Sequence, residues 1–492
     1  MVGLFALFTF VLRAPYLTTP LLPDEAGLLL IAQNWGEGPF LYGDYFVGRG
    51  VGMMLIYSLA DALGGDLALR LIACVVAAIL VIAAGWAGHC LRGTSGAGWA
   101  ALVAVAYGST PLFSAQVMNE RLVAATLVMV SCACTIAAVR HSRPWPLGSA
   151  MLAVLAGSAA TSALLVVQSY ACGFAFAGIL LFVSWRVRAL PGRTLGQIAG
   201  AGLLGMALPV IALATVVLTS WPTAQQVWFQ MFGFRLEALA VVGGSRDVER
   251  LVELRELAVP TGVALLAVCF LLGYRKVSPR RNRSPVWFAV LAMFVTASAG
   301  MVLGGAWYPD YVLQLVPALI LSTALLAPTL GWSGIGMRVG ASVAALSALL
   351  ATQTGVEQAS LDRPTATEAI GQWLAADAEP SDTAVVLWGK ASLLHEADMT
   401  SPYPYLWSLL TRTLDPDLDL LRKTLRGPEA PTWIIERYDI NSWGLDESGE
   451  LEALITDRYA WVGKPCGVDV YLLRSQSRTP PPTMQCNEFR GR

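Results

Sequence analysis

Three carboxylates stand at the ends of apolar segments, where they can take part in chemistry. Asp24 and Glu25 follow the first apolar run of the chain, and Glu120 opens a later one. A carboxylate that reaches a hydroxyl group can remove its proton during a reaction, which is the task of a general base. Each acid also has a structural alternative. An acid in the first turn of a helix is stabilised by the helix dipole, and Glu120 can instead pair with Arg121.

Arg49 supplies a positive charge between these acids. It lies among three glycines, at positions 48, 50 and 52, which let a ligand approach the backbone closely. The planar donor fork of arginine binds phosphate oxygens in pairs, so this segment indicates a phosphate partner. The alternative is an arginine whose side chain extends to lipid head groups.

Three tyrosines are candidates for contact with a bound sugar or phosphate: Tyr42, Tyr308 and Tyr311. Aromatic faces and phenolic hydroxyls suit a site that is half apolar and half wet. Tyrosines also form the aromatic belt at membrane interfaces, which is the alternative for each of them.

The elements that position these residues are membrane helices. Of 492 residues, 55% are hydrophobic and 14% are charged, and the mean hydropathy is +0.58. Apolar runs long enough to cross a hydrocarbon core of about 30 Å recur along the chain, so an α-helical polytopic membrane protein is predicted. We expect about eleven transmembrane helices, at residues 1–17, 70–91, 97–114, 119–139, 147–163, 165–185, 196–219, 257–274, 286–305, 311–328 and 336–353.

Charge distribution predicts the orientation of these helices. With 33 Lys+Arg and 34 Asp+Glu the chain lacks the basic excess that nucleic acid binding requires. The basic loops, above all the cluster at 275–283, suit the cytoplasm. We therefore predict a plasma-membrane protein with a cytoplasmic N-terminus. Its transmembrane domain spans residues 1–353, and its first extracytoplasmic loop, residues 18–69, begins with a short helix after Pro23 that lies along the membrane surface.

The last part of the chain, residues 354–492, is predicted to form a small extracytoplasmic α/β domain. β-rich runs at 383–388, 432–435 and 468–473 alternate there with helical patterns. An aromatic and proline-rich run at 401–407 suits the binding of an acceptor, but no catalytic residue is assigned to this domain. A disulfide between Cys466 and Cys486 is chemically permitted outside the cytoplasm.

The sequence specifies no cofactor. It contains no CxxC, Walker or GxSxG motif and only three histidines. No residue is assigned as a metal ligand. A divalent cation stays open as an additional component, because two nearby carboxylates would be able to hold one.

Together these residues resemble the GT-C glycosyltransferases, and within them the protein O-mannosyltransferase and aminoarabinose-transferase-like branch (glycosyltransferase family 39-like). The resemblance covers roughly residues 1–350 and extends loosely to the C-terminal domain. Where relatives often carry Lys-Pro-Pro, this chain has Arg-Gly-Val-Gly at 49–52. The pattern consists of Asp24, Glu25, Tyr42, Asp44, Arg49, Glu120 and the aromatic run at 307–317.

This resemblance implies a membrane enzyme that takes a sugar from a polyprenyl-phosphate donor and passes it to an acceptor outside the cytoplasm. The acceptor would be a cell-envelope glycan, a lipid or a protein, and the reaction a direct displacement with inversion at the anomeric carbon. The catalytic acids would be Asp24, Glu25 and Glu120, with Asp24 as the general base. The residues that bind the donor phosphate would be Arg49, Tyr42, Tyr308 and Tyr311.

Two other classes of function stay open. A transporter or flippase of a lipid-linked glycan would use Asp24, Glu120 and Arg49 to bind a coupling ion or a lipid head group. Such proteins commonly have internal repeats and acids near the bilayer midplane, whereas no repeat is evident here and the acids cluster at one boundary. A non-catalytic assembly or adhesion protein would instead carry its function in the C-terminal domain.

Overall fold

The computed structural model describes residues 1–142, 146–219, 223–241, 245–273, 284–305, 307–359, 364–484 and 486. Up to residue 359 the described elements are helices, and beyond residue 364 a small sheet is packed with short helices. The predicted fold class, an α-helical polytopic membrane protein with a small C-terminal α/β region, is confirmed. The domain boundary after residue 353 stays a prediction, and a helix runs through it to Ala359.

The helical part is a bundle in which neighbouring helices pack through apolar and small side chains. In chain order its helices are α1 (Val2–Arg13), α2 (Pro23–Gln33), α3 (Val51–Ala62), α4 (Asp66–Ser109), α5 (Glu120–His141), α6 (Pro146–Val166), α7 (Cys172–Arg186), α8 (Gly192–Thr219), α9 (Ala224–Trp228), α10 (Phe234–Val241), α11 (Ser245–Ala258), α12 (Val263–Leu272), α13 (Ser284–Gly304), α14 (Val316–Leu326) and α15 (Trp332–Ala359).

Many of these helices suit a membrane. Among the described residues, α4, α5, α6, α8, α13 and α15 are long and apolar enough to cross one. The apolar helices α1, α3, α7 and α14 are shorter. Every predicted transmembrane segment overlaps an apolar helix, which agrees with a multi-pass membrane protein.

Local backbone geometry sets the boundaries of several predicted helices. α4 is 44 residues long, but non-helical backbone at Arg92 and Gly93 separates the predicted helices 70–91 and 97–114. The predicted helix 257–274 is broken before Val263, because Gly262 adopts a left-handed φ of +76°. The predicted helix 311–328 begins at Val316, since Pro309–Gln314 forms a 3-10 turn instead.

The C-terminal region consists of a four-stranded sheet and five helices in the described residues. The helices are α16 (Ala366–Asp377), α17 (Ala391–Glu396), α18 (Ser408–Leu414), α19 (Asp419–Arg426) and α20 (Glu450–Arg458), and the strands are β1 (Ala384–Leu387), β2 (Trp433–Glu436), β3 (Tyr459–Gly463) and β4 (Asp469–Leu473).

The sheet has the strand order β1-β2-β4-β3. Its β1 and β2 run parallel, whereas β4 is antiparallel to both of its neighbours. The predicted β-rich runs correspond to β1, β2 and β4, and the edge strand β3 was missed because it follows α20 without a turn signal. Cys466 and Cys486 are joined by a disulfide.

The environment of α2 differs from the predicted one. Its start at Pro23 agrees with the sequence, because proline suits the first turn of a helix. However, its residues from Glu25 to Ala32 are buried, and they pack against α3 and α17. These residues of α2 are therefore covered by protein, and the position of the helix along the membrane surface stays a prediction. Apolar spacing alone does not distinguish a helix covered by lipid from one covered by protein.

Polar contacts attach the C-terminal region to the rest of the chain. The backbone N–H of Ser401 donates to the Tyr45 hydroxyl at 2.9 Å. The N–H of Phe46 donates to the Pro404 carbonyl oxygen at 3.2 Å. His395 Nε2 of α17 lies 3.0 Å from Asp66 Oδ1, at the start of α4.

The contact between His395 and Asp66 makes this attachment dependent on pH. Burial alone would lower the pKa of His395, but the hydrogen bond to Asp66 and its negative charge raise that pKa above the usual value. Protonated His395 therefore stabilises the folded protein fully below about pH 6.5. This stabilisation is lost as the pH rises through the higher pKa of the folded state.

We expect His395→Gln to lower the melting temperature more at about pH 6 than at about pH 8. Thermal unfolding of the purified protein in detergent measures the difference from wild type at each pH. His89→Gln is a matched control, because His89 is an exposed histidine of α4. A loss for His395→Gln that stays the same at both pH values would contradict the prediction.

Candidate active site

The acidic pair at the start of α2 is divided between two environments. Asp24 and Glu25 both lie in the first turn of the helix. Consecutive helical residues point about 100° apart, so the two carboxylates face different sides. The Asp24 side chain is 64% exposed, whereas Glu25 is 1% exposed. Only Asp24 is therefore accessible to a substrate.

Glu25 forms a buried ion pair with Arg70 of α4. Its Oε2 lies 3.1 Å from Arg70 Nη2 and accepts a hydrogen bond from the N–H of Leu22 at 3.0 Å. Its other oxygen accepts from the N–H of Met118 at 2.8 Å. Arg70 also donates to the carbonyl oxygen of Pro20 at 3.0 Å. These bonds join the first loop, α4 and the turn before α5. Glu25 therefore stabilises the arrangement of the segments that surround the site.

Arg49 binds two carboxylates that are distant in the sequence. Its Nη1 lies 2.8 Å from Glu120 Oε1, and its Nη2 lies 3.5 Å from Asp24 Oδ2. Burial alone would lower the pKa of Arg49, but the charges of Glu120 and Asp24 outweigh burial and raise it. The hydroxyl of the fully buried Tyr42 donates to the Arg49 carbonyl oxygen at 2.7 Å. Arg49 is therefore a permanent cation between the two acids.

The first turn of α5 presents two charges with separate partners. Asn119 caps the helix, because its side-chain oxygen accepts from the N–H of Arg121 at 2.8 Å. Arg121 Nε lies 2.9 Å from Asp310 Oδ2. Glu120 therefore pairs closely with Arg49 of the first loop, and its neighbour Arg121 pairs with the aromatic run at 307–317.

Two tyrosines of that aromatic run lie beneath arginines. The guanidinium carbon of Arg121 is 3.6 Å from the centroid of the Tyr311 ring. The guanidinium carbon of Arg250, in α11, is 4.0 Å from the centroid of the Tyr308 ring. Tyr311 is buried, whereas Tyr308 is 46% exposed. Tyr308 is therefore the tyrosine of this run that is more accessible to a ligand.

Arg235 of α10 is a site residue that the sequence analysis missed. Its Nη2 donates to the carbonyl oxygen of Gly48 at 3.2 Å, next to Arg49. Burial and the charge of Arg49 lower the pKa of Arg235 to about 10. Its buried Nε has no hydrogen-bond partner in the described part of the chain. One signal was available, since Arg235 stands between Phe234 and Leu236 in the segment that connects the predicted helices 196–219 and 257–274.

A π-helical turn, Phe229–Gly233, fixes α10 against the first loop. Gln230 in this turn accepts a hydrogen bond from the N–H of Leu41 at 2.7 Å and donates to the carbonyl oxygen of Val47 at 3.2 Å. Single π-helical turns are frequent at functional sites. The first loop and the segment around α10 therefore form one unit, which carries Arg49 and Arg235.

Charged side chains of both signs surround the exposed carboxylate. The described part of this site has four arginines and three acids. Arginine side chains suit the binding of an anionic ligand. The arginines are Arg49, Arg121, Arg235 and Arg250, and the acids are Asp24, Glu120 and Asp310.

The same side chains do not fit a divalent cation. Arg49 lies between Asp24 and Glu120, in the position that a bridging metal ion would require. No group of three His, Cys, Asp or Glu side chains that could hold a metal ion occurs within the described ranges. The divalent cation that the sequence left open therefore has no set of ligands here.

The structure brings together five of the seven predicted site residues: Asp24, Glu120, Arg49, Tyr308 and Tyr311. The other two, Tyr42 and Glu25, are buried behind them and bind the backbone of the first loop and its neighbours. The chemical roles of all seven stay predictions.

Solved structures share this fold. Neither a protein-family model nor a curated protein sequence matches the chain. The crystal structure of ArnT from Cupriavidus metallidurans bound to undecaprenyl phosphate aligns with a TM-score of 0.63 at 15% identity, over 96% of this chain and 97% of that one. The apo structure of the same protein aligns with a TM-score of 0.64 at 14% identity over the same shares.

A second kind of protein aligns over the same part of the chain. The archaeal oligosaccharyltransferase AglB from Archaeoglobus fulgidus, in complex with an inhibitory peptide and a dolichol-phosphate, gives a TM-score of 0.54 at 12% identity. The alignment covers 96% of this chain and 74% of that one. At these identities the likeness concerns the fold. The GT-C fold predicted from the resemblance is therefore confirmed, and it includes the C-terminal region.

Removal of one partner from the Glu25–Arg70 pair is expected to destabilise the protein. Arg70→Met leaves Glu25 buried without its counter-charge, which costs about 3–5 kcal/mol. The melting temperature in detergent should fall clearly, and the double variant Glu25→Gln/Arg70→Met should recover part of the loss.

Lys464→Met is the matched control for this experiment. It removes the ion pair between Lys464 and Asp469 on the surface of the C-terminal region, where the lysine side chain is 55% exposed. Exposed pairs contribute little to stability, because water and salt screen them. Equal losses for Arg70→Met and Lys464→Met would contradict a structural role for the buried pair.

Proposed function

We propose that this chain is a membrane glycosyltransferase that moves a sugar from a polyprenyl-phosphate donor to an extracytoplasmic acceptor. The observation that carries the proposal is the double contact of Arg49 with the exposed Asp24 and with Glu120. The fold adds support, because the ArnT structure contains undecaprenyl phosphate and the AglB structure contains a dolichol-phosphate. The acceptor is a glycan, lipid or protein of the cell envelope.

Asp24 is the general base in this proposal. A hydroxyl acceptor is a weak nucleophile, and a carboxylate that removes its proton as the new bond forms contributes about 10²–10⁴-fold to the rate. The acceptor oxygen bonds to the anomeric carbon of the sugar. The bond from that carbon to the phosphate oxygen breaks, and its electron pair stays on the phosphate. Direct displacement of this kind inverts the anomeric centre.

Arg49 and Arg235 stabilise the departing phosphate, whose negative charge grows in the transition state. A guanidinium about 4 Å from such a charge is attracted by about 4 kcal/mol at an effective dielectric constant of about 20. The crowding of Arg235 with Arg49, which contributes to its low pKa, favours an anion beside it. The unpartnered Nε of Arg235 supplies a further donor.

The remaining predicted residues support the removal of the acceptor proton and the stabilisation of the departing phosphate. Glu120 orients Arg49 through their ion pair. Tyr308 offers a partly exposed aromatic face to the sugar, and Tyr311 supports Arg121. Tyr42 and Glu25 hold the first loop in position. No step of this mechanism uses a metal ion.

The proposed orientation has the N-terminus in the cytoplasm, the C-terminal region outside and the chain in the plasma membrane. In this orientation the first loop and the aromatic run at 307–317 both face outward. Nucleotide-activated sugars are not available on that side, so a donor that is already activated by its lipid phosphate suits the site.

Asp24→Asn should lower sugar transfer by about 10²–10⁴-fold, because the amide cannot accept the acceptor proton. The assay follows undecaprenyl phosphate carrying radiolabelled mannose, glucose, galactose or aminoarabinose, incubated with a cell-envelope extract and the purified protein in lipid. Asp61→Asn, at an exposed acid in α3, is the control and should keep wild-type activity. Equal transfer by Asp24→Asn and wild type would overturn the role of Asp24 as general base. Transfer by neither would make transport of a lipid-linked glycan the better hypothesis.

Arg235→Gln should weaken the binding of undecaprenyl phosphate by about tenfold or more, since a hydrogen bond to a charged group contributes about 1.5–3 kcal/mol. Titration of the lipid into the purified protein measures the dissociation constant. Arg474→Gln is the control, because Arg474 is an exposed arginine of the C-terminal region. Unchanged affinity in Arg235→Gln would remove this residue from the donor site.

A further inference from the structure

The C-terminal region contacts the exposed acid of the membrane part through Trp407. Trp407, which precedes α18, donates a hydrogen bond from its indole Nε1 to Asp24 Oδ1 at 3.0 Å. The other oxygen of the same carboxylate, Oδ2, lies 3.5 Å from Arg49 Nη2. Asp24 is therefore held on one side by the first loop and on the other by a residue 383 positions later in the chain.

The Trp407 ring also packs closely on α2. A Cβ atom added to Gly27 would lie 2.5 Å from Cζ2 of Trp407, so only glycine at position 27 admits the ring. Gly27 is one turn of the helix beyond Asp24, and α17 begins at Ala391, which borders the same space. The indole is thus wedged between α2 and α17, with its N–H directed at the carboxylate.

Backbone contacts fix the segment that carries this indole. Ser401 binds the Tyr45 hydroxyl, and the Pro404 carbonyl oxygen accepts from the N–H of Phe46. Both contacts join the segment at 401–407 to the first loop, a few residues from Arg49. The first loop carries Arg49, and the segment at 401–407 carries Trp407. These contacts therefore fix the two partners of Asp24 relative to each other.

We propose that Trp407 is a positioning residue, through which the C-terminal region fixes the orientation of the Asp24 carboxylate and completes the site. This inference rests on the proposed function, in which Asp24 is the general base. An ionised carboxylate has about four lone-pair positions, so contacts with Trp407 and Arg49 leave others for the acceptor hydroxyl. A side chain held by two partners meets the acceptor proton in one geometry, and misplacement by about 1 Å can cost about a hundredfold in rate.

Two variants of Trp407 distinguish the contribution of its indole N–H to the rate from the contribution of its ring. Trp407→Phe removes the donor and keeps an aromatic ring on Gly27. Replacement of Trp407 by benzothienylalanine keeps the full bicyclic shape and substitutes sulfur for the N–H. Both should lower kcat by about ten- to a hundredfold and leave KM for the sugar-bearing undecaprenyl phosphate within about twofold of wild type.

Trp461→Phe is the matched control. Trp461 of β3 also donates its indole N–H to an aspartate, Asp469, at 2.9 Å, but it lies on the exposed edge of the sheet. Its variant should keep the kcat of the wild type. Gly27→Ala adds an independent test, because the new methyl group displaces the ring without changing Asp24, Arg49 or the indole N–H, and it should also lower kcat.

The outcomes distinguish this inference from the proposed function. Wild-type kcat in Trp407→Phe or in the benzothienylalanine variant, with Asp24→Asn inactive, would overturn the positioning role and leave the proposed function intact. Loss of kcat in Trp407→Phe that benzothienylalanine restores would also overturn it, because packing alone would then be sufficient. Activity of Asp24→Asn equal to wild type would overturn the role of Asp24 as general base, on which this inference rests. Absence of transfer by the wild type would overturn the proposed function itself.

Discussion

The ion pairs of Arg49 with Asp24 and Glu120 are the interaction on which the rest of the structure depends. They join the first loop to the start of α5 across 71 residues of sequence. Two carboxylates brought this close repel each other unless a cation lies between them, and a partly buried setting strengthens both the repulsion and the attraction. Arg49 therefore makes it possible for the exposed Asp24 and the partly buried Glu120 to share one site.

A set of buried polar contacts holds that arrangement at the edge of the bundle. Glu25, Arg70 and Gln230 bind backbone groups of the first loop or of its neighbours, and Tyr42 binds the carbonyl oxygen of Arg49 itself. Loop backbone near a membrane has few water molecules to satisfy it, so side chains must supply its hydrogen bonds. The residues that look catalytic in the sequence thus divide into those that face a ligand and those that support the loop.

The C-terminal region belongs to the same functional unit as the helices. Its contacts reach the first loop through Ser401 and Pro404 and reach the exposed acid through Trp407. The fold comparison agrees with this organisation, because the alignment with ArnT covers 97% of that chain and is not confined to the bundle. A ligand that approaches Asp24 would therefore meet surfaces from both regions.

The sequence by itself determined the membrane class, the helical segments, three of the four described strands, and the acids and the arginine of the candidate site. Those features follow from local hydrophobicity, periodicity and residue type, which act over a few turns of chain. Only the tertiary structure decided that Glu25 turns inward to Arg70, that α2 is covered by protein, and that Arg235 and Trp407 join the site. Each of these features depends on burial and on partners that are distant in the sequence. The spacing of residues within one helix or loop does not specify which distant segment will pack against it.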